Sequence, residues 1–241
     1  MSLVFVGGAT GYTGREVVKQ LCARGIPTVA HVRPDSSRVG EFSAIFEGMG
    51  AQVDVTPWQP EAIRETFLRL KPSCVFALLG TTRARGKKAS SGAVADTYEA
   101  VDLGLTLQLL DAAQGVQPAP RFVYLSSLGA DRPGGNAYLQ VRAKVEQRLT
   151  LGTVPYTIVR PSFITGEDRD EARPLEKWSA ALLTGTLNGL AKVGFPYPRD
   201  QFGALTGAQL AEGMVNAALD PSYLQRVVET HQLRPLIRSL S

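Results

Sequence analysis

The sequence predicts an α/β fold: a Rossmann-type, doubly wound parallel sheet filling a single domain, with a small C-terminal region beside it. Three observations point there. A glycine-rich turn, Gly7-Gly8-Ala9-Thr10-Gly11-Tyr12-Thr13-Gly14, lies between an apolar run and a segment with helical periodicity. Apolar runs and helical segments then alternate as far as Arg160, the order that builds a parallel sheet. One run, Ser73–Leu79, is apolar at nearly every position, as in strands covered by helices on both faces.

Strand one is Leu3-Val4-Phe5-Val6, and the first helix runs through Arg15 to Cys22 with Val17, Val18, Leu21 and Cys22 at helical spacing. The glycines therefore sit where a strand turns into a helix. A pyrophosphate needs two things at such a place: backbone without Cβ that it can approach closely, and free N–H groups at a helix N-terminus. Gly8, Gly11 and Gly14 are spaced G-x-x-G-x-x-G, and tight strand–helix turns also use glycine for steric reasons alone. With a strand before, a helix after and a second strand at Pro27–Arg33, the turn is expected to bind a dinucleotide through Gly8, Thr10, Gly11, Tyr12, Thr13 and Gly14. NAD-preferring proteins carry an acid about 20 residues past the turn, at the end of strand two, to bind ribose hydroxyls. Here stands Arg33, followed by Pro34-Asp35-Ser36-Ser37-Arg38. A guanidinium and hydroxyl donors suit a 2′-phosphate, whereas a carboxylate would repel it. Arg33, Ser37 and Arg38 thus point to NADP (NADPH) as the cofactor. His31 reads as a strand residue rather than a catalyst.

Glu41–Gly48 reads as a short helix with Phe42, Ile45 and Phe46 on one side, Gln52–Val55 as strand three, and Glu61–Leu70 as a helix packing Ile63, Phe67 and Leu70. Strand four, Ser73–Leu79, ends in Gly80-Thr81-Thr82-Arg83. Loops at the carboxyl ends of strands line the ligand crevice of a doubly wound sheet, so Leu79, Gly80, Thr81, Thr82 and Arg83 are expected to edge the cofactor. Arg83, Arg85, Lys87 and Lys88 then crowd a loop, which reads equally as a solvated segment or a positively charged lid. Asp96–Gly115 is expected to be one long helix with Val101, Leu105, Leu109 and Ala112 or Ala113 in a stripe. Leu103, Leu107 and Leu110 widen that stripe, which suggests burial on two sides and contact with a partner, a second subunit or another protein. Strand five, Arg121–Leu125, delivers Ser126 and Ser127 at its carboxyl end. Tyr138 and Arg142, four apart on the next helix, project from one face. Strand six, Tyr156–Val159, runs into Arg160-Pro161-Ser162-Phe163-Ile164. Beyond it, helices are expected at Leu175–Leu190 and Leu205–Leu219, the latter opening near Thr206, with an irregular turn at Phe195–Pro198.

Composition narrows the function classes. Lys and Arg number 26 against 22 Asp and Glu, a net charge of +4 that fits an anionic cofactor. No dense basic helix or aromatic-interleaved patch calls for nucleic acid. Cys22 and Cys74 lack metal-like spacing and read as buried reduced thiols, and no metal is expected. No apolar stretch is long enough for a membrane span, and strand one begins too early for a signal peptide ahead of it, so a cytoplasmic enzyme is expected.

Together, GGATGYTG, LLGTTR, the LSSLGAD segment, Tyr138-x-x-x-Arg142 and the VRPS segment resemble the atypical short-chain dehydrogenase/reductases. The likeness is strongest to the Tat-interacting-protein oxidoreductases, a small NAD(P)H-binding, NmrA-like group. It spans nearly the whole chain, including Asp168–Pro174 and Val227-Val228-Glu229 to Leu233. The resemblance implies a single NAD(P)-binding domain over residues 1–241, with 162–198 forming most of the wall of a substrate pocket. It implies that a serine, Ser126 or Ser127, polarises a substrate carbonyl and that Tyr138 donates or removes a proton. A lysine four residues after the tyrosine binds ribose and lowers the tyrosine pKa in such enzymes. Arg142 stands in that place, and Ser162 stands where a glycine usually follows the arginine–proline pair. Pro161, Ser162, Phe163 and Ile164 are then expected at the nicotinamide side. Arginine keeps the charge and the donors, though its rigid fork places them differently. Lys144 is no substitute, because a +6 spacing puts it well round the helix. The implied activity is NADPH-dependent reduction or oxidation of a carbonyl or similar small molecule. Two other readings fit the same motifs: an NADPH-binding redox sensor with little turnover, and a flavin- or biliverdin-type reductase, which needs no Tyr-x-x-x-Lys.

Overall fold

The computed structural model describes residues 3–80, 98–132, 135–165 and 203–238. Its strands are β1 (Val4–Gly7), β2 (Thr28–His31), β3 (Gln52–Asp54), β4 (Cys74–Ala77), β5 (Arg121–Leu125), β6 (Tyr156–Arg160), β7 (Ile164–Thr165), β8 (Leu205–Thr206) and β9 (Arg226–Glu229). The main sheet has the order β3-β2-β1-β4-β5-β6-β9 and every pairing in it is parallel. β7 and β8 form a separate parallel pair, Ile164 opposite Leu205 and Thr165 opposite Thr206.

Side chains alternate across a strand, and the two faces of the sheet bury two distinct cores. Val4 and Val6 face helices α1 (Tyr12–Ala23), α2 (Val39–Gly48) and α6 (Gly207–Leu219), through Val17, Leu21, Phe46, Leu210 and Met214. Phe5, Val75 and Phe122 face α3 (Pro60–Leu70), α4 (Thr106–Gln114) and α5 (Ala137–Thr150), through Phe67, Leu109 and Val145. The expected Rossmann-type doubly wound sheet is therefore the fold. Thr206 opens α6 with a capping box, its side chain accepting from Gln209 N while Gln209 reaches back to Thr206 N.

Four local differences matter. The expected unbroken helix from Asp96 is a π-helix over Tyr98–Leu105 followed by α4, and the change of pitch leaves Asp102 fully buried. A seventh strand, β9, pairs with β6 although its sequence, Arg-Val-Val-Glu, is short and charged at both ends. Ile45 is exposed on α2, and Phe42 and Phe46, with Val39 partly buried beside them, carry that helix's contact with the core. Strand two ends at His31, and Arg33 lies in the turn beyond it. The Thr81–Lys88 loop, the helix expected at 175–190, the turn at 195–198 and nearly all of the expected pocket wall at 162–198 lie outside the described residues.

Candidate active site

The strand order reverses between β1 and β4, and in open α/β sheets ligands bind at the carboxyl ends of strands at such a switch point. Gly7 is paired with Ala77 there, and Leu78 N donates to Gly7 O at 2.9 Å. The glycine turn and the Leu78-Leu79-Gly80 segment thus flank one crevice. Two of its three spaced glycines are required by the backbone alone. Gly8 has φ +81°, and a Cβ on it would lie 2.7 Å from the Leu78 carbonyl group. A Cβ on Gly14 would collide with the Gly8 carbonyl oxygen. Gly11 is different: its nearest obstacle would be that same oxygen at 3.3 Å, and it caps α1 with no side chain and no acid in the first turn. The helix N-terminus is left open, as a bound phosphate requires. The residues fit a dinucleotide.

Beside the turn lies a cavity of about 320 Å³ lined by Thr10, Arg33, Asp35, Ser36, Ser37, Arg38 and Phe42. It brings together Arg33, Ser37 and Arg38, the side chains expected around a 2′-phosphate. Arg33 is held only loosely, with Nη1 3.8 Å from Asp35 Oδ2. Arg38 donates twice to Glu41, Nε to Oε2 at 2.8 Å and Nη2 to Oε1 at 2.6 Å. Tyr12 is turned away from phosphate work: its hydroxyl donates to Thr165 O at 3.0 Å and accepts from Gly207 N at 3.3 Å. Thr13 is buried.

At the other end of the crevice, Arg142 is almost completely buried and makes four hydrogen bonds. Nη1 donates to Tyr124 Oη at 3.1 Å and to Leu125 O at 2.7 Å; Nη2 donates to Leu79 O at 3.1 Å and to Asp102 Oδ1 at 2.7 Å. Its guanidinium carbon lies 5.0 Å from the Tyr138 ring centre and 5.5 Å from that of Tyr124. Burial works against the guanidinium's charge, but the oxygens of Tyr124, Tyr138 and Asp102 outweigh it and raise its pKa above the usual value. Burial likewise pushes the Tyr124 phenol up to about 12, against the pull of Arg142, so this fully buried tyrosine stays neutral. Tyr138, half-buried in the first turn of α5, is the tyrosine with access. The Tyr138 ring lies against the Arg142 guanidinium on their shared helix face. Four Arg142 N–H groups are engaged in the protein and Nε alone has no partner. Lys144 pairs with Glu99 at 2.7 Å on the exposed side of the helix.

The serines differ. Ser126 is buried and its hydroxyl donates to Glu146 Oε1 at 2.5 Å, whereas Ser127 is half-buried with only a long contact, 3.5 Å, to Leu128 O. Arg160 donates to Glu146 twice, Nε to Oε1 at 3.0 Å and Nη2 to Oε2 at 2.5 Å, and Nη1 donates to Asp131 at 2.8 Å. Its hydrogen bonds to Glu146 raise the Arg160 pKa, with burial opposing. Asp102 and Glu146 are functional candidates that the sequence reading passed over. Glu146 follows Arg142 by four residues and Tyr138 by eight on one helix face, a signal that was available; Asp102 left none.

Pro161 O accepts from Leu128 N at 3.0 Å. Ser162 N donates to Thr230 Oγ1 at 2.9 Å and Ser162 Oγ to Gly203 O at 3.2 Å, so the serine in the usual glycine position ties β6 to the C-terminal region. Phe163 O accepts from Leu205 N, and Ile164 lies in β7. Thr81, Thr82 and Arg83 lie outside the described residues. No group of metal-ligating side chains occurs among the described residues, nor a helix long and apolar enough to cross a membrane.

A family model described as NAD(P)H-binding matches residues 8–182. The mitochondrial protein fmp52-1 of Aspergillus oryzae is 30% identical over 173 residues, 70% of this chain and 68% of that protein. The chloroplastic divinyl chlorophyllide a 8-vinyl-reductase of Oryza sativa subsp. indica is 34% identical over 169 residues, 66% of this chain but only 39% of that enzyme. Among solved structures, the leucoanthocyanidin reductase–NADPH complex from Vitis vinifera superposes with a TM-score of 0.66 at 15% identity, covering 94% of this chain and 67% of that one. One expectation is overturned. The fmp52 relatives, in A. oryzae and three further species, are named mitochondrial, which points to mitochondria rather than cytoplasm. The cytoplasmic expectation rested on composition and on the early start of strand one, and neither reports on compartment.

Proposed function

The chain belongs to the NAD(P)H-binding family, in the atypical short-chain dehydrogenase/reductase group, and we propose that within it the protein is an NADPH-dependent oxidoreductase acting on a carbonyl or similar small molecule. The observation that carries the cofactor preference is the cavity beside the glycine turn, where Arg33, Ser36, Ser37 and Arg38 converge, the one acid lining it being Asp35, loosely paired with Arg33. The N-terminus of α1 takes the pyrophosphate, with Gly11 leaving room for it. Bound NADPH supplies a hydride. Tyr138 passes its hydroxyl proton to the substrate oxygen, and Arg142 behind its ring stabilises the negative charge left on the phenol. A hydroxyl at the end of β5 polarises the carbonyl. The vinyl reductase and the NADPH-complexed reductase among the similar proteins support reductive chemistry.

Titration with NADPH and NADH tests the preference. Arg38 is engaged by Glu41, so Arg33 is the informative position. One charge-assisted arginine–phosphate contact is worth roughly 1.5–3 kcal/mol, so Arg33→Ala should weaken NADPH binding about ten- to a hundredfold and leave NADH nearly unchanged. Equal affinities in the parent would overturn the preference. A redox sensor is the second reading, favoured by the commitment of four Arg142 donors to the protein. NADPH binding without oxidation across a carbonyl and quinone panel would put it first.

A further inference from the structure

We infer that Asp35 is a specificity-determining residue: it is the resting partner of Arg33 and the charge that limits how far the cavity beside the glycine turn favours NADPH over NADH. This rests on the cofactor preference proposed above and names the group that sets its size.

The local chain explains how an acid comes to stand there. Ser36 N donates to Arg33 O at 3.1 Å, which closes a four-residue turn with Pro34 and Asp35 at its corners. Proline fixes its own φ and aspartate suits a turn, so the sequence places a carboxylate two residues past the arginine and folds it back beside it. Asp35 Oδ2 lies 3.8 Å from Arg33 Nη1, with the two side chains 74% and 42% exposed. A pair so long and so open to water is weak, and a stronger anion can take the arginine from it.

The charges around the cavity nearly cancel. Arg33 and Arg38 both line it, with Asp35 the one acid among the lining residues. Arg38 already meets a carboxylate, because Nε and Nη2 both bond to Glu41 while the guanidinium lies 4.7 Å from the Phe42 ring centre. Arg33 is thus the cation left to receive a 2′-phosphate, and Asp35 shares the space with that phosphate. Two anions about 5 Å apart repel each other even in water, and a phosphate monoester carries nearly two charges. NADH brings a 2′-hydroxyl instead, a donor that a carboxylate accepts. One acid therefore disfavours NADPH and favours NADH, in opposition to the arginine two residues before it.

The test titrates the full chain with NADPH and with NADH, for the parent, Asp35→Asn, Asp35→Glu and Arg33→Ala, at low salt and in 1 M KCl. Asp35 is exposed, so Asp35→Asn should leave Tm within ~1 °C. It should tighten NADPH about three- to tenfold and weaken NADH about two- to fivefold, since a neutral acceptor replaces a charged one. Asp35→Glu, which keeps the charge, should stay near the parent with both cofactors. The gain in NADPH affinity should shrink in 1 M KCl, where the Debye length falls to about 3 Å. NADPH affinity unchanged or lowered in Asp35→Asn overturns the role of Asp35, and so does an equal gain with both cofactors. If Arg33→Ala weakens NADPH about tenfold or more while Asp35→Asn changes nothing, the cofactor preference stands and the assignment of Asp35 alone falls. If neither substitution alters NADPH affinity, the 2′-phosphate does not lie in this cavity and both fall together.

Discussion

At residue level, two tyrosines beside one arginine differ in what surrounds them. Tyr138 has a guanidinium carbon 5.0 Å from its ring centre and is half-buried, whereas Tyr124 shares the same arginine but is sealed in the core. Proton transfer by a positioned group typically contributes ~10²–10⁴-fold, so Tyr138→Phe should cut turnover by that order with little change in NADPH affinity, as steady-state kinetics and titration would show. Turnover at the parent's level would move the flavin-type reductase ahead. His31 belongs to β2, the strand place expected for it. It is buried between Phe5 and Trp58, and since a carbonyl only accepts, its Nε2 carries the proton donated to Thr56 O at 2.8 Å. Burial lowers its pKa below the ordinary histidine range, with Arg33 adding to the fall and Thr56 and Asp54 opposing it. The unfolded chain therefore takes up this proton at a higher pH than the folded one. The stability contributed by neutral His31 is fully present above about pH 6.5 and is lost as pH drops toward the depressed folded value. Tm measured from pH 8 to 5 should decline in the acid limb, and His31→Asn should flatten that decline.

Among the elements, those with strong local signals were legible in the sequence and those depending on distant partners were not. The glycine turn, β4 and the opening of α6 at Thr206 follow from patterns within ten residues of each. The π-helix does not: a 3.6-residue period through Val101, Leu105 and Leu109 predicts a plain α-helix, and nothing near Asp102 announces that it meets Arg142, forty positions on. Glu146 shares a helix face with Tyr138 and Arg142, but its partners Ser126 and Arg160 lie at the ends of other strands, where the local pattern does not reach. Of the site, the tyrosine, the arginine below it and the basic cavity beside the turn were readable, while the acids that anchor them were not. The pair formed through the π-helix can be tested directly. Asp102 is fully buried and Arg142 nearly so, and removing one partner of such a pair costs ~3–5 kcal/mol. Asp102→Leu should therefore lower Tm by roughly 6–20 °C. Combining it with Arg142→Met removes the stranded charge, so the double variant should melt above the single one. A double variant no more stable than Asp102→Leu alone would mean that the pair is not what holds the two helices at this point.

Taken whole, the molecule fastens its first helix to its C-terminal part: Tyr12 is tied to Thr165 at the end of β7 and to Gly207 at the start of α6, and Arg24 donates to Asn216 further along the same two helices. A Cβ on Gly207 would lie 2.5 Å from the Tyr12 ring, so the close approach is built into the sequence at both partners. With β7 paired to β8, Ile164 is held opposite Leu205 and Thr165 opposite Thr206. That fastening has a polymer-physics consequence. Once the two ends of a loop are fixed, the entropy of closing it grows only with the logarithm of its length, about 0.6 kcal/mol per doubling. The entropy of closing the stretch between β7 and β8 therefore depends only weakly on its length. A Gly/Ser insertion that doubles the stretch should lower stability by no more than about 1 kcal/mol in urea unfolding and leave NADPH affinity intact. Opening the fastening with Tyr12→Ala should make the same insertion measurably more costly. Natural variation could then reshape this stretch from one descendant to another, with the cofactor end inherited unchanged.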